Sequence, residues 1–320
     1  MKTNIKNMSV KELEIFFHMI GEQKFRAKQV FQWLYRGAYT FEEMTNLSKS
    51  LREKLEEEAS IESLEIANLQ VSKKDGTRKY LFKLVDDNTV ETVLMKYKFG
   101  NSICVSSQAG CKMGCSFCAS AVNGFQRNLM PGEMIDQLIA VEKDANVKIS
   151  HVVVMGTGEP FDNYNNVGKF IELLNAKEGL NMGMRNITVS TCGIIPKIKE
   201  FARDFPQVNL AISLHAPNDK MRGQIMPIND KYGIDELLET CKMHVEKTGR
   251  RITFEYALIK GFNDQMGHAE ELASKLRGMI CHVNLIPLNQ VSESKLKGVD
   301  RDEAERFKEM VEKRGVQATV

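Results

Sequence analysis

From Ser102 to the carboxyl end, short β-branched runs alternate with stretches of helical periodicity, and that alternation leaves few folds open. The runs fall at residues 103–105, 152–155, 187–190, 210–214, 252–259 and 283–288. Helices are expected near 132–144, 166–176, 194–203, 234–247, 266–278 and 300–313. Repetition of strand, helix and strand requires right-handed crossovers and a parallel sheet. The six countable units fall short of a complete (β/α)8 barrel. The expectation is therefore an α/β fold built as a partial (β/α)6 barrel, with a doubly wound sheet as the alternative. In both, ligands gather at the carboxyl ends of the strands.

The residues before this region read as a small α+β module. Ser9 followed by Glu12 has the form of a capping box opening an amphipathic helix through Leu13, Phe16, Phe17 and Ile20. A second helix is expected over 25–35, with Val30, Phe31 and Leu34 inward and Trp33 nearby, and a third, charged and solvated, over 49–59. Residues 61–97 read as strands, with turns at Asp75-Gly76 and Asp86-Asp87-Asn88. The expected division is an accessory domain, 1–98, and a core domain, 99–320.

Composition excludes little. A 320-residue chain with 42% hydrophobic and 27% charged residues is ordinary for a globular protein and not for a disordered one. The net charge of +2 gives no overall polycationic signature, so any nucleic-acid contact must come from a local patch. Lys24/Arg26/Lys28/Arg36 and Lys73/Lys74/Arg78/Lys79 are the candidate phosphate contacts. No apolar run approaches the ~20 residues of a membrane span, and Met1 to Ser9 lead into no signal-peptide core. A cytoplasmic protein with no membrane partner is the expectation.

Directly after the first run of the α/β region stands Cys111-Lys112-Met113-Gly114-Cys115-Ser116-Phe117-Cys118. Mutual disulfides at this spacing would be badly strained, and the cysteine count, seven, is odd, so a reduced compartment with metal or redox chemistry fits better than a secreted scaffold. Three thiolates on one loop can ligate three irons of a 4Fe–4S cubane, with Gly110 and Gly114 letting the backbone wrap closely. The fourth iron stays open for the amino and carboxylate groups of S-adenosylmethionine (SAM). A structural zinc takes four protein ligands, commonly in pairs, and no suitable partner pair lies nearby; His151 and His215 are single.

Polar residues cluster at other strand ends. Met155-Gly156-Thr157-Gly158-Glu159-Pro160 closes the second run with glycines that permit close approach and a carboxylate that can accept from the SAM ammonium. Ser190 closes the third, Ser213-Leu214-His215 the fourth, and Asn289 follows the sixth. Taken singly, a polar residue at a strand end more often caps the next helix; several converging on one rim shift that balance.

Together with Glu91-Thr92-Val93, Gln108-x-Gly110-Cys111, Phe125-x-Arg127-Asn128-Leu129, Ser190-Thr191-x-Gly193, His215-Ala216-Pro217, Met226-Pro227-Ile228-Asn229, Phe254-Glu255-Tyr256 and Val283-Asn284-Leu285-Ile286-Pro287, these segments resemble the RlmN family over essentially the whole chain. The family comprises radical SAM methyltransferases acting on C2 of adenosine in 23S rRNA and in tRNA. The segments at Phe125 and His215 follow RlmN wording rather than that of Cfr, the sibling that acts on C8. The resemblance implies a radical SAM barrel with a cluster on Cys111, Cys115 and Cys118. It implies SAM contacts from Gly158, Glu159, Ser190, Ser213, Leu214, His215 and Asn289. Glu91 takes the place of a proton acceptor, and Cys104 that of a thiol pairing transiently, as a disulfide, with a carboxyl-terminal cysteine. It further implies an electron donor such as flavodoxin or ferredoxin and a monomeric enzyme.

In the family, one SAM methylates that carboxyl-terminal cysteine, a second yields a radical that activates the methyl group for addition to C2, and a base and a thiolate then release the product. Such a cysteine would follow a strand like residues 315–320, and the chain stops at Val320; Cys281, the last cysteine, does not match that place. As written, the chain is expected to bind cluster and SAM without the methyl carrier, through truncation or loss of methyl transfer. Other readings are a radical SAM enzyme with a peptide or metabolite substrate, a Cfr-like C8 methyltransferase, and a zinc-stabilised RNA-binding protein.

Overall fold

The computed structural model describes residues 2–289 and 295–320. The chain divides into two compact units. The first comprises Met1–Ala109, Gln126–Thr157 and Asn163–Ile187, and the second Gly110–Phe125, Gly158–Asp162 and Thr188–Val320.

In the first unit, α1 (Val10–Met19) starts at the expected capping box. The Ser9 hydroxyl accepts from the Glu12 N–H at 3.3 Å and the Ser9 N–H donates to the Glu12 carboxylate at 2.7 Å. Its apolar stripe, Leu13, Phe16 and Phe17, is buried, as are Ala27, Val30, Phe31 and Leu34 of α2 (Phe25–Tyr35). On α3 (Lys49–Glu58) only Leu51 and Leu55 are buried, as its charged sequence implies. Strands β1 (Glu65–Val71), β2 (Arg78–Lys83), β3 (Thr89–Tyr97) and β4 (Gly100–Val105) pair antiparallel in that order. The outermost, β1, is exposed at nearly every position, so the alternation expected over 61–97 shows in burial mainly on β2 and β3. Helix α4 (Pro131–Ala145) opens with proline at its first turn and crosses to β5 (Ile149–Val154), parallel to β4; α5 (Tyr164–Asn175) follows. The buried Gln137 ties the sheet to α4, accepting from Thr92 Oγ1 at 2.7 Å and from the Ser106 N–H at 2.8 Å.

The second unit carries the parallel strands β6 (Ile187–Thr191), β7 (Asn209–Ser213), β8 (Ile252–Leu258), β9 (Cys281–Pro287) and β10 (Ala318–Thr319), paired in sequence order. Each new strand joins the same edge with no reversal, which is the winding of a barrel segment and excludes the doubly wound alternative. Val189, Leu210, Ile212, Phe254, Val283 and Leu285 are buried, the near-continuous apolar strands expected under crossover helices. Helices α6 (Ile195–Asp204), α7 (Asp219–Ile225), α8 (Ile234–Thr248), α9 (Met266–Leu276) and α10 (Arg301–Lys313) include every helix expected here. Only α7 is unforeseen. It has seven residues, an interior Gly223 and just Arg222 and Ile225 buried, so it carries no apolar stripe. Cys281 opens β9. No helix among the described residues is long and apolar enough to cross a membrane.

Candidate cluster and cofactor site

The cysteine loop belongs to the second unit and is fixed there by four contacts. The Ser116 N–H donates to the carbonyl of Ile225, the last residue of α7, at 3.0 Å. Phe117 meets the His215 ring edge-on, centroids 4.8 Å apart. Met113, Cys115 and Phe117 pack on a buried cluster of Cys192, Ile225, Met226 and Ile259. Lys112 pairs with Asp162 at 2.7 Å. At Gly110, φ is +72° and a Cβ would lie 1.7 Å from the Gly124 carbonyl, so only glycine permits the loop to close on itself there.

Cys111, Cys115 and Cys118 are part-buried and unoxidised. Burial first, then Cys118 and Cys111, push the Cys115 thiol up to about 12. Burial is likewise the main cause raising Cys111. Such mutually opposed thiolates need a bound cation to be stable as anions. Among the described residues no three His, Cys, Asp or Glu side chains converge on a point that could hold a single ion. One zinc would draw its thiolates within about 4 Å of each other. A cubane spreads its thiolates over separate irons, and the three-thiol donor set and its loop fit that group.

The strand-end residues expected to hold SAM occupy the same unit. Glu159 is buried, its carboxylate accepting from the Phe161 N–H at 2.9 Å and the Cys192 N–H at 2.7 Å, and burial raises its pKa. The side chains of Thr191 and Cys192 also hydrogen-bond to this carboxylate. Gly158 has φ +108°. Ser190 is buried near the end of β6, and Ser213, half-buried, ends β7. Leu214 is buried and donates to the Glu255 carbonyl at 3.0 Å. His215 sits at φ +57°, a left-handed conformation that non-glycine residues rarely adopt. Its Nδ1 accepts from the Ala257 N–H at 2.9 Å, leaving Nε2 to carry the proton. Asn289 is exposed just beyond β9.

Burial, with Arg222 second, depresses His215 to about 3, so the ring is neutral near pH 7. The folded state therefore resists a proton that the unfolded chain takes up near 6.5. This contribution to stability is complete above that pH and is lost as pH falls toward about 3. His244, depressed to about 4, acts in the same sense. Asparagine tolerates a left-handed backbone and does not titrate, so His215→Asn is expected to flatten the acid slope of unfolding free energy by up to about 1.4 kcal/mol per pH unit. Urea titrations at stepped pH measure it, and an unchanged slope contradicts the assignment.

Glu91 and Cys104 belong to the first unit. Glu91, half-exposed on β3, accepts an ion pair from Lys79 at 2.6 Å. Cys104 on β4 lies in register with Val93, and its thiol is pushed up to about 11, chiefly by burial, with Glu91 in electrostatic reach. Neither Arg222 nor Cys192 is marked by the sequence pattern. Arg222 stands in a helix without periodicity, and Cys192 is one residue past the end of β6.

The chain resembles known proteins over nearly its whole length. Residues 3–61 match the family model described as ribosomal RNA large subunit methyltransferase N-terminal domain, and 105–273 match that of the radical SAM superfamily. The chain is 52% identical to a probable dual-specificity RNA methyltransferase RlmN of Lachnospira eligens, over 99% of this chain and 91% of that protein. It is equally identical to one from Thermoanaerobacter sp., over 99% and 93%. A radical SAM methyltransferase crystal structure from Sphaerobacter thermophilus superimposes with a TM-score of 0.95 at 43% identity, covering 99% of this chain and 94% of that one.

Proposed function

This chain belongs to the RlmN family of radical SAM RNA methyltransferases, and we propose that it methylates C2 of adenosine in both 23S rRNA and tRNA. Its cofactors are a 4Fe–4S cluster and SAM, and its substrates are RNA. The observation that carries the reading is the seating of the cysteine loop, through Phe117 on His215 and Ser116 on Ile225, among the strand ends that bear Glu159, Ser190 and Ser213.

When bound, cluster and SAM supply the electron and the radical that an unactivated aromatic C–H position requires. Cys111, Cys115 and Cys118 hold the cluster. Gly158 lets the backbone approach SAM, Glu159 accepts from its ammonium, and Ser190, Ser213, Leu214, His215 and Asn289 complete the pocket. The neutral His215 would offer SAM an Nε2 donor without adding a positive charge. Glu91 receives the proton leaving C2, and Lys79 is paired with it at 2.6 Å. Cys104, its thiol pushed up by burial and in electrostatic reach of Glu91, must lose its proton before it attacks the sulfur of the methyl-carrying cysteine, forming a disulfide as the bond from that sulfur to the methylene on C2 breaks.

Residues 1–98 act as the RNA-contacting accessory domain and 99–320 as the radical SAM core, a division supported by matches falling within each. A methyl acceptor at a base edge must be unpaired or turned out of its helix, which suits a rim of strand ends. The electron comes from a carrier such as flavodoxin or ferredoxin, and the enzyme works as a cytoplasmic monomer. Deletion of the gene is expected to remove 2-methyladenosine from digests of both 23S rRNA and tRNA. Its persistence in both overturns the reading, and its persistence in one restricts the substrate to the other.

A further inference from the structure

Arg222 is the largest fully buried side chain among the described residues, with 0% exposure, and none of the ion pairs formed among those residues includes it. Buried guanidinium groups are expensive unless their donors are met. Here they are met by neutral acceptors, three of them at strand ends: Nη2 donates to the Cys192 carbonyl at 2.6 Å and the Ser213 carbonyl at 3.2 Å, Nε to the Leu214 carbonyl at 3.2 Å, and Nη1 to Oδ1 of Asn229, in the helical turn Pro227–Asp230, at 3.1 Å. The positive charge is therefore held in place with no direct ion pair among the described residues, Asp219 of the same helix acting on it only at longer range. Arg222 belongs to α7, whose last carbonyl anchors the cysteine loop, and Cys115 packs on a buried cluster that includes Cys192, whose carbonyl Arg222 binds, and Ile225 of the same helix.

We propose that Arg222 is a positioning residue with an electrostatic role, clamping the ends of β6 and β7 and serving as the fixed counter-charge for the cluster on Cys111, Cys115 and Cys118. The inference rests on the cluster reading above. On reduction, the cluster takes one electron from the low-potential donor and gains one negative charge, with no bond made or broken. A cation fixed nearby in a low-dielectric interior stabilises that product more than the oxidised form and raises the potential.

The test is the midpoint potential of the anaerobically loaded full chain, followed by the electron paramagnetic resonance of the reduced cluster. Arg222→Gln removes the charge and keeps part of the hydrogen bonding. It is expected to disfavour reduction at least tenfold, a fall of about 59 mV for one electron. Arg222→Lys keeps the charge and should leave the potential within about threefold of the parent in equilibrium terms, while the cluster-free protein melts at a lower temperature through lost clamp bonds. Should Arg222→Gln not fold, Asn229→Asp sets a carboxylate against Nη1 and cancels the charge with the clamp intact, and the same fall is expected. A parent potential in Asn229→Asp or Arg222→Gln protein overturns the proposal. Failure of the parent itself to load iron overturns the cluster reading instead.

Discussion

Cys115→Ala protein, purified and reconstituted without oxygen, is expected to fold normally and hold almost no iron, where the parent takes up about four irons and four sulfides per chain. Cys115 is the middle thiol of the loop and the one most opposed by its neighbours, Cys118 and Cys111. Two remaining thiolates cannot secure three corners of a cubane, so the brown colour and the absorption near 400 nm should both be lost. Reductive cleavage of SAM to 5′-deoxyadenosine should fall by at least about 100-fold with them. Cys241→Ala is the matched control. That thiol is fully buried on α8 among core residues, and its loss should cost about 1 kcal/mol in packing and no iron. Equal iron in the Cys115→Ala and Cys241→Ala proteins contradicts the assignment of the loop.

Replacement of Glu159 is expected to act on both stability and SAM, and two variants separate the effects. Alanine leaves the N–H groups of Phe161 and Cys192 buried without an acceptor, which should cost about 2–6 kcal/mol in denaturant unfolding. Glutamine keeps one carbonyl oxygen, so Glu159→Gln should cost less while losing the carboxylate that attracts an ammonium. Its SAM affinity, read by equilibrium dialysis on cluster-loaded protein, should fall at least about tenfold, equivalent to about 1.4 kcal/mol. Parent-like SAM affinity in Glu159→Gln protein would leave Glu159 as a strand-end brace and no more.

The periodicity that announced the helices and strands was carried by apolar residues, and burial fixes those to within about three residues. Leu13, Phe16 and Phe17 on α1 and Val30, Phe31 and Leu34 on α2 are buried as their spacing requires. Likewise the cysteine spacing named the loop, because three thiols in eight residues have few uses. What stayed illegible was polar and non-local. Arg222 reaches Cys192, Ser213 and Leu214, 30, 9 and 8 residues away, through bonds to backbone carbonyls that leave no trace in side-chain pattern. The left-handed backbone of His215 is equally silent in the sequence, since the Ala257 N–H that rewards it lies on the neighbouring strand. Glu159 was foreseen as an acceptor for SAM, but its bonds to Phe161 and Cys192 came from the packing of strand ends alone.

The most direct measurement is the electron paramagnetic resonance spectrum of the reduced, cluster-loaded chain with and without SAM. A cubane held by Cys111, Cys115 and Cys118 presents one iron that lacks a protein thiolate, and SAM bound there must change the g-values of the signal. A spectrum that SAM leaves unaltered at saturating concentration, from protein with a full complement of iron, contradicts the site described here.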